Sequence, residues 1–522
     1  MAVSYDQLVW RETSPGLWQR AVDEVEQFYT ALTKLYEGSG RKFFAITGHI
    51  SLEVGAAGSH SREDVERRIE DAVRKGWIAL RYDHPTIASR VVRDPGTGKF
   101  SKIYRTSKTD AQRDQWLENT VKVVSTGQTG MEWANSDPPV PDLPTLFIIR
   151  PPPSSTGIPV VRRDLVLRSP HDIIDGIGTL YLFGNLLDHA SRAFAGGDSY
   201  QLPVLDGSEA SNLSPPFRIA ANVPPTLTEE QQRRLSGNAV QNAAAAEGDE
   251  SLTVLGIPFK PGAALPGKHQ RIAFTLPKEQ TSRLLAACKA AAATVTHVFH
   301  AATAIVVRDI QERPPTTSRV RYVNYILRNE RASCVEPYNT SKHAVAVYHS
   351  VSGKSLTVDM AWPGAGDSDA SQESGRKREF LDVVQTMKNF YEDVRNDSEH
   401  YALVPSIFAA ATPALPSPPT GPPPVPPPKT RPSVSISSMG RIDPIIKPTC
   451  GDIEAYNPWV TGEELGNGLG LFLGTYRGEL CLSAAYNDAW HDEEEVFGFL
   501  KRCEDVVFHG LGIGVVSEHN AV

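Results

Sequence analysis

The run His171-Asp172-Ile173-Ile174-Asp175-Gly176 is the stretch of this 522-residue chain whose residue types and spacing best suit proton chemistry. An imidazole titrates near neutrality, so His171 at the mouth of a cleft is suited to take the proton of an alcohol as that alcohol attacks a carbonyl. Asp175 follows four residues on. An ideal helix would put both on one face, but a turn precedes the helix here. The acid is therefore expected to point inward and to fix the turn by accepting backbone or arginine hydrogen bonds. Gly176 permits close packing or an unusual backbone angle.

Other candidates carry less. His297 and His300 stand three apart on an apolar helix, yet no carboxylate or cysteine shares that spacing, so a core or cavity-lining role is expected and no metal site. His189 reads as solvent-facing, and His49 sits in the strand-like KFFAITGHISLE. The five cysteines are scattered, with no C-x-x-C pair, and read as reduced, mostly buried thiols. DPGTGKF is a turn rather than a phosphate loop, because Arg93 replaces the first glycine and Phe100 the Ser/Thr. No G-x-S-x-G elbow and no H-E-x-x-H motif occur, which removes the main support for a serine hydrolase or a zinc protease.

The elements that must position His171 are legible around it. Val160 to Arg168 alternates as a strand, SPHDIIDG makes a tight turn, and Ile173, Ile177, Leu180, Gly184 and Leu187 share one face of the helix that follows. Earlier, residues 15 to 37 read as an amphipathic helix from Trp18 through Leu35, with Ser14 and Pro15 at its start. Ser61 to Lys75 is helical, Trp77 to Tyr82 extended, and Pro138 to Pro153 a connector or edge strand. GNGLGLFLG at 466 to 474 reads as a flexible approach to a strand.

Residues 222 to 260 are rich in turn residues, Gln, Ala and acids. They read as an exposed connection, disordered near 235 to 252, between an N-terminal lobe (1 to 220) and a C-terminal lobe (261 to 522). In the second lobe, Thr296 is a plausible cap for a buried helix ending at Asp309. Residues 405 to 432 hold 12 of the 40 prolines, which predicts a long surface loop.

The formal charge of −8 argues against a nucleic-acid partner, while leaving room for a local basic patch where a phosphorylated cosubstrate docks. With no basic-then-apolar leader and no run of 18 apolar residues, no membrane association is expected and the cytoplasm is the expected location.

Strand, turn and helix around HxxxDG at His171, Asp175 and Gly176 resemble the BAHD and condensation-domain superfamily of acyltransferases. TVTHVFHAATAIVVRD (294 to 309) is similar to the buried helix that opens that superfamily's second lobe, and GELCLSAAYNDAWHD (478 to 492) to its late strand and turn. Pro170 stands where condensation domains usually carry a second histidine, which favours the stand-alone O-acyltransferases. Ser437-Ser438-Met439-Gly440-Arg441-Ile442-Asp443 occupies the place of the plant DFGWG motif. The chain is most like the fungal trichothecene 15-O-acetyltransferases.

The resemblance implies an α/β fold with mixed sheets in two lobes, of the chloramphenicol acetyltransferase and condensation-domain kind, with a tunnel between them. It implies a monomer with no bound cofactor, acetyl-CoA as cosubstrate and a small-molecule alcohol as acceptor. His171 would be the base, Asp175 and Gly176 would support its turn, and the turn containing Ser437, Ser438 and Gly440 would shape the tunnel. Two alternatives stay open: a condensation-type enzyme using a carrier-bound acyl donor, and a non-catalytic scaffold.

Overall fold

The computed structural model describes residues 4–55, 61–152, 160–247, 252–365, 373–416 and 421–514. Two sheets, each with its own apolar core, organise the chain.

The first has six strands in the order Thr449–Cys450, Ile453–Gly462, Ile46–Gly55, Val160–Ser169, Thr145–Ile149, Val121–Val124. All neighbours are antiparallel except the last pair. Val160–Ser169 lies inside the sheet, and its last seven residues are all buried, as expected of a strand covered on both faces. Helices Arg62–Asp83 and Gly176–Gly196 pack together on this sheet. The second sheet, ordered His269–Leu276, Glu479–Asn487, Leu469–Tyr476, Val434–Arg441, is covered by Val295–Asp309 and Glu493–Leu511.

The lobes are not consecutive stretches of chain. Residues 449–462 cross back to complete the first sheet, pairing with Ile46–Gly55. A buried Arg168–Glu463 ion pair ties that returning segment to the central strand. The 222–260 segment is not an extended connection: it holds the 19-residue helix Glu229–Glu247 and the short strand Leu252–Val254, which joins a separate three-stranded sheet. Ala-rich QNAAAAE has high helix propensity, and this outweighs its polarity. Residues 248–251 of the expected disordered stretch lie outside the described residues.

Several other expectations are corrected. Trp18 and Val22 do not belong to a helix, because Arg11–Ser14 and Leu17–Ala21 form a hairpin turning at Gly16, whose φ is +77°. The helix is Glu24–Leu35, capped by Asp23, whose carboxylate accepts from the Glu26 N–H at 3.0 Å. Trp77 to Tyr82 continues the helix to Asp83, since Val73, Trp77 and Leu80 repeat at helical spacing and are fully buried.

Thr145–Ile149, free of proline, lies inside the sheet rather than at its edge. Pro405 falls within helix His400–Ala411, so the proline-rich loop begins only after it. Thr294, not Thr296, caps Val295–Asp309. Leu469–Tyr476 is a regular interior strand rather than a flexible approach. Among the described residues no single helix is long and apolar enough to cross a membrane, and all five cysteines are free thiols.

Candidate active site

Strand Val160–Ser169 delivers the chain to Pro170, and the Gly176–Gly196 helix carries it away, leaving residues 171–175 as a buried turn between them. Other elements hold this turn. The Lys102 ammonium donates to the Asp172 carbonyl at 2.6 Å and is itself paired with Glu26. Glu26 also takes a two-pronged hydrogen bond from Arg20. Thr30 donates to the Asp172 carboxylate at 2.8 Å. Burial pushes Glu26 up, but Arg20 and Lys102 outweigh it and bring its carboxyl down to about 2.

Asp175 points inward. One carboxylate oxygen caps its own helix by accepting from the Gly178 N–H at 2.6 Å, and the other accepts from Arg331 Nη1 at 2.9 Å and the Tyr348 N–H at 2.8 Å. Burial would raise its pKa, but Arg331, then His349, overcome that, so the carboxyl stays below its usual range. The demand for glycine is sharper at Gly178 than at Gly176. A Cβ on Gly178 would lie 2.3 Å from the Ala344 carbonyl oxygen, whereas the nearest atom to one on Gly176 would be the Met439 side-chain end at 3.3 Å.

The His171 ring stacks on Tyr29 at 3.7 Å between centroids and 10° between planes, with Phe44 edge-on and His349 at 5.3 Å. Tyr29 OH and His349 Nε2 share a 2.7 Å hydrogen bond, and His349 Nδ1 lies 3.9 Å from Asp175. Nδ1 of His171 is enclosed without a partner of hydrogen-bond geometry, which leaves Nε2 as the nitrogen open to a substrate. Burial, reinforced by His349, lowers the His171 pKa to about 3, so the imidazole is neutral and able to accept a proton throughout the physiological range.

His171 borders a mostly apolar cavity of about 760 Å³ between the lobes, a size suited to a small molecule. Ser437, Ser438 and Gly440 also line it, but as part of a strand rather than a turn. Val434–Arg441 bulges at Met439, and Gly440 adopts φ +66°. Ser438 accepts a 2.9 Å hydrogen bond from Thr296 across the cavity wall.

His297 lines the cavity too, while His300 is core, bonded to the hydroxyls of Tyr391 and Tyr322. No cluster of potential metal ligands occurs among the described residues. His189 is partly buried against Asp83 at 2.7 Å rather than solvent-facing. His49 does not border this cavity; its Nδ1 meets the Asn457 carbonyl. Tyr29, Arg331 and His349 went unread in the sequence, since no motif marks them and they reach the site from 142 to 178 residues away. The Arg331 and Tyr348 bonds to Asp175, for instance, span 156 and 173 residues.

Two lobes with a cavity between them and His171 on its wall are the arrangement expected of a two-lobed acyltransferase fold. The sequence pattern of the 15-O-acetyltransferase Tri3 family matches residues 54–329, just over half of the chain, and the chain belongs to that family. Over its whole length it is similar to TRI3 trichothecene 15-O-acetyltransferase from Fusarium sporotrichioides, with a TM-score of 0.76 at 16% identity, covering 98% of this chain and 99% of that one. The first condensation domain of the calcium-dependent antibiotic synthetase shares the fold at a TM-score of 0.57 and 15% identity, covering 96% and 98%. Two Monascus ruber proteins are similar in sequence. The O-acetyltransferase pigM is 26% identical over 93% of this chain and 84% of its own length; the acetyltransferase pigO is 23% identical over 97% and 98%.

Proposed function

We propose that the protein transfers an acetyl group from acetyl-CoA to a hydroxyl of a fungal secondary metabolite, a terpenoid such as a trichothecene or a polyketide, with His171 as general base. The observation that carries this reading is the neutral His171 imidazole on the wall of an apolar cavity large enough for such an acceptor. Names of relatives that include a 15-O-acetyltransferase of trichothecenes support the acyl group and the acceptor class.

In this reading Nε2 takes the hydroxyl proton as the oxygen attacks the thioester carbonyl. The tetrahedral intermediate collapses, the carbon–sulfur bond breaks, and the imidazolium returns the proton to the departing thiolate. No acyl-enzyme forms and no resident cofactor takes part. The enzyme works as a cytoplasmic monomer, with Asp175 and Gly176 supporting the turn and Ser437, Ser438 and Gly440 shaping the cavity.

The test is thiol release from acetyl-CoA with a panel of sesquiterpenoid and polyketide alcohols. Acceptor-dependent release should fall by about 10²–10⁴-fold in His171→Ala. Release from an acylated carrier protein alone would replace acetyl-CoA as donor, and an unchanged His171→Ala rate would remove the base from His171.

A further inference from the structure

Behind the His171 cavity lies a second one of about 320 Å³, between the strands of the two sheets. Met439, Val460 and Phe472 line both, so the two cavities are divided by side chains and not by backbone alone. Met439 sits on the strand bulge, and its unbranched thioether is the kind of wall that can yield to a ligand.

The second cavity is lined by Arg271, which is only 3% exposed. Among the described residues no carboxylate pairs with it. Its Nη1 faces Met131 Sδ at 3.3 Å, its Nη2 faces Cys481 Sγ at 3.8 Å, and Nε has no partner. Sulfur is a weak acceptor, and neither atom supplies a full counter-charge. Burial lowers the Arg271 pKa, yet a guanidinium does not give up its proton at physiological pH. A buried cation without a counter-ion is the arrangement that folded chains avoid unless something else fills the role.

A second donor stands beside it. The Trp459 indole is held between the Arg271 guanidinium, 4.2 Å from the ring centroid, and the His49 ring, stacked at 5.0 Å. Trp459 is 5% exposed, and its Nε1–H is buried without an acceptor. Two further charged groups line this cavity. Arg477 is engaged with Glu454 at 3.2 Å and stacked on Tyr456; Glu479 is half-buried and pairs with neither arginine among the described residues. Of the three charged side chains that line the cavity, Arg271 alone is buried, and its guanidinium packs on the ring of the tryptophan that carries the second orphaned N–H.

We propose that this second cavity is a subsite for an oxyanion, a carboxylate or phosphate group borne by one of the substrates, with Arg271 as its charge partner and Trp459 Nε1 as a neutral donor. Planar guanidinium donors suit such an anion, and enclosure strengthens the charge-assisted bonds. The acetyl-transfer chemistry does not require the site; it adds recognition of an acidic group beyond the reacting hydroxyl. Two molecules could bring the anion: an acceptor carrying a carboxylate, or the acyl donor through a phosphate.

The experiment begins without turnover, so its outcome is separable from that of the acetyl-transfer reading. The full-length protein is followed by thermal shift while inorganic phosphate or succinate is titrated, for wild type, Arg271→Gln and Trp459→Phe. The expected result is saturable stabilisation of wild type, weakened at least tenfold in Arg271→Gln and severalfold in Trp459→Phe. In anion-free buffer Arg271→Gln should melt no lower than wild type, because the substitution removes an unpaired buried charge; a purely structural arginine would give the opposite shift. Binding of CoA weakened in Arg271→Gln would assign the anion to the donor. A raised KM confined to acceptors that carry a carboxylate would assign it to the acceptor. No saturable response to phosphate or succinate, or equal responses in wild type and Arg271→Gln, would overturn the proposal.

Discussion

Replacing Asp175 by alanine removes the one carboxylate that three buried donors share. Arg331 and Asp175 side chains are each 3% exposed, so the guanidinium would be left unpaired in the interior. Breaking a buried pair from one side costs about 3–5 kcal/mol. The lost helix cap adds about 1 kcal/mol, and the Tyr348 N–H left without an acceptor adds about 1–3 kcal/mol. These losses share one site and do not add in full, so about 4–6 kcal/mol is expected, a large part of the 5–15 kcal/mol typical of a folded protein. Urea unfolding followed by circular dichroism measures it. Asp175→Ala with Arg331→Met should recover much of the loss, because the stranded charge is gone. A single-variant effect below about 1 kcal/mol, or a double variant no better than Asp175→Ala, would refute the view that Asp175 stabilises the site through Arg331.

Two further outcomes follow from the same geometry. Gly178→Ala should destabilise by about 1–3 kcal/mol, as overpacking against backbone does, and Gly176→Ala by less, since the Met439 side chain can move aside; thermal melts of the pair test the contrast. Stability should also fall as pH drops from about 6.5 to 4. Burial lowers His84, His343 and His400 to about 4 and His171, His269 and His300 to about 3. Below pH 6.5 the unfolded chain therefore takes up protons that the native state refuses, each worth about 1.4 kcal/mol per pH unit. Asp23 and Glu464, raised to about 7 by burial, hold protons in the native state and offset part of this loss. A melting temperature that rises on acidification across that window would contradict the sign.

The strand and helix flanking His171 could be read because both carry their own periodicity and the turn between them is short. The misreadings have local causes. Trp18 and Val22 fit a helical spacing with Val25 by coincidence, and only Gly16 in its left-handed conformation marks the hairpin that breaks the series. Trp77 to Tyr82 reads as extended by itself, but burial of Trp77 and Leu80 on one helix face decides the matter. No local signal could reveal that residues 449–462 return to the first sheet, or that His349 and Arg331 meet the HxxxDG turn. Those contacts exist only once both lobes have folded.

The arrangement also explains how the two acidic residues of the motif differ from the histidine in their work. Among the described residues Asp175 makes no ion pair with His171; its oxygens are taken up by Gly178, Arg331 and Tyr348. Asp172 is likewise occupied, by Thr30 through its side chain and by Lys102 through its carbonyl. Neither carboxylate is free to relay a proton, so both act by holding the turn. Asp175 does favour a protonated His171 through space, but burial of the ring outweighs it. An imidazole kept neutral in this way is a weak base at rest. Under the proposed mechanism it would gain a partner for its new charge only when an oxyanion develops beside it, which would concentrate its stabilising effect on the transition state and not on the bound substrate.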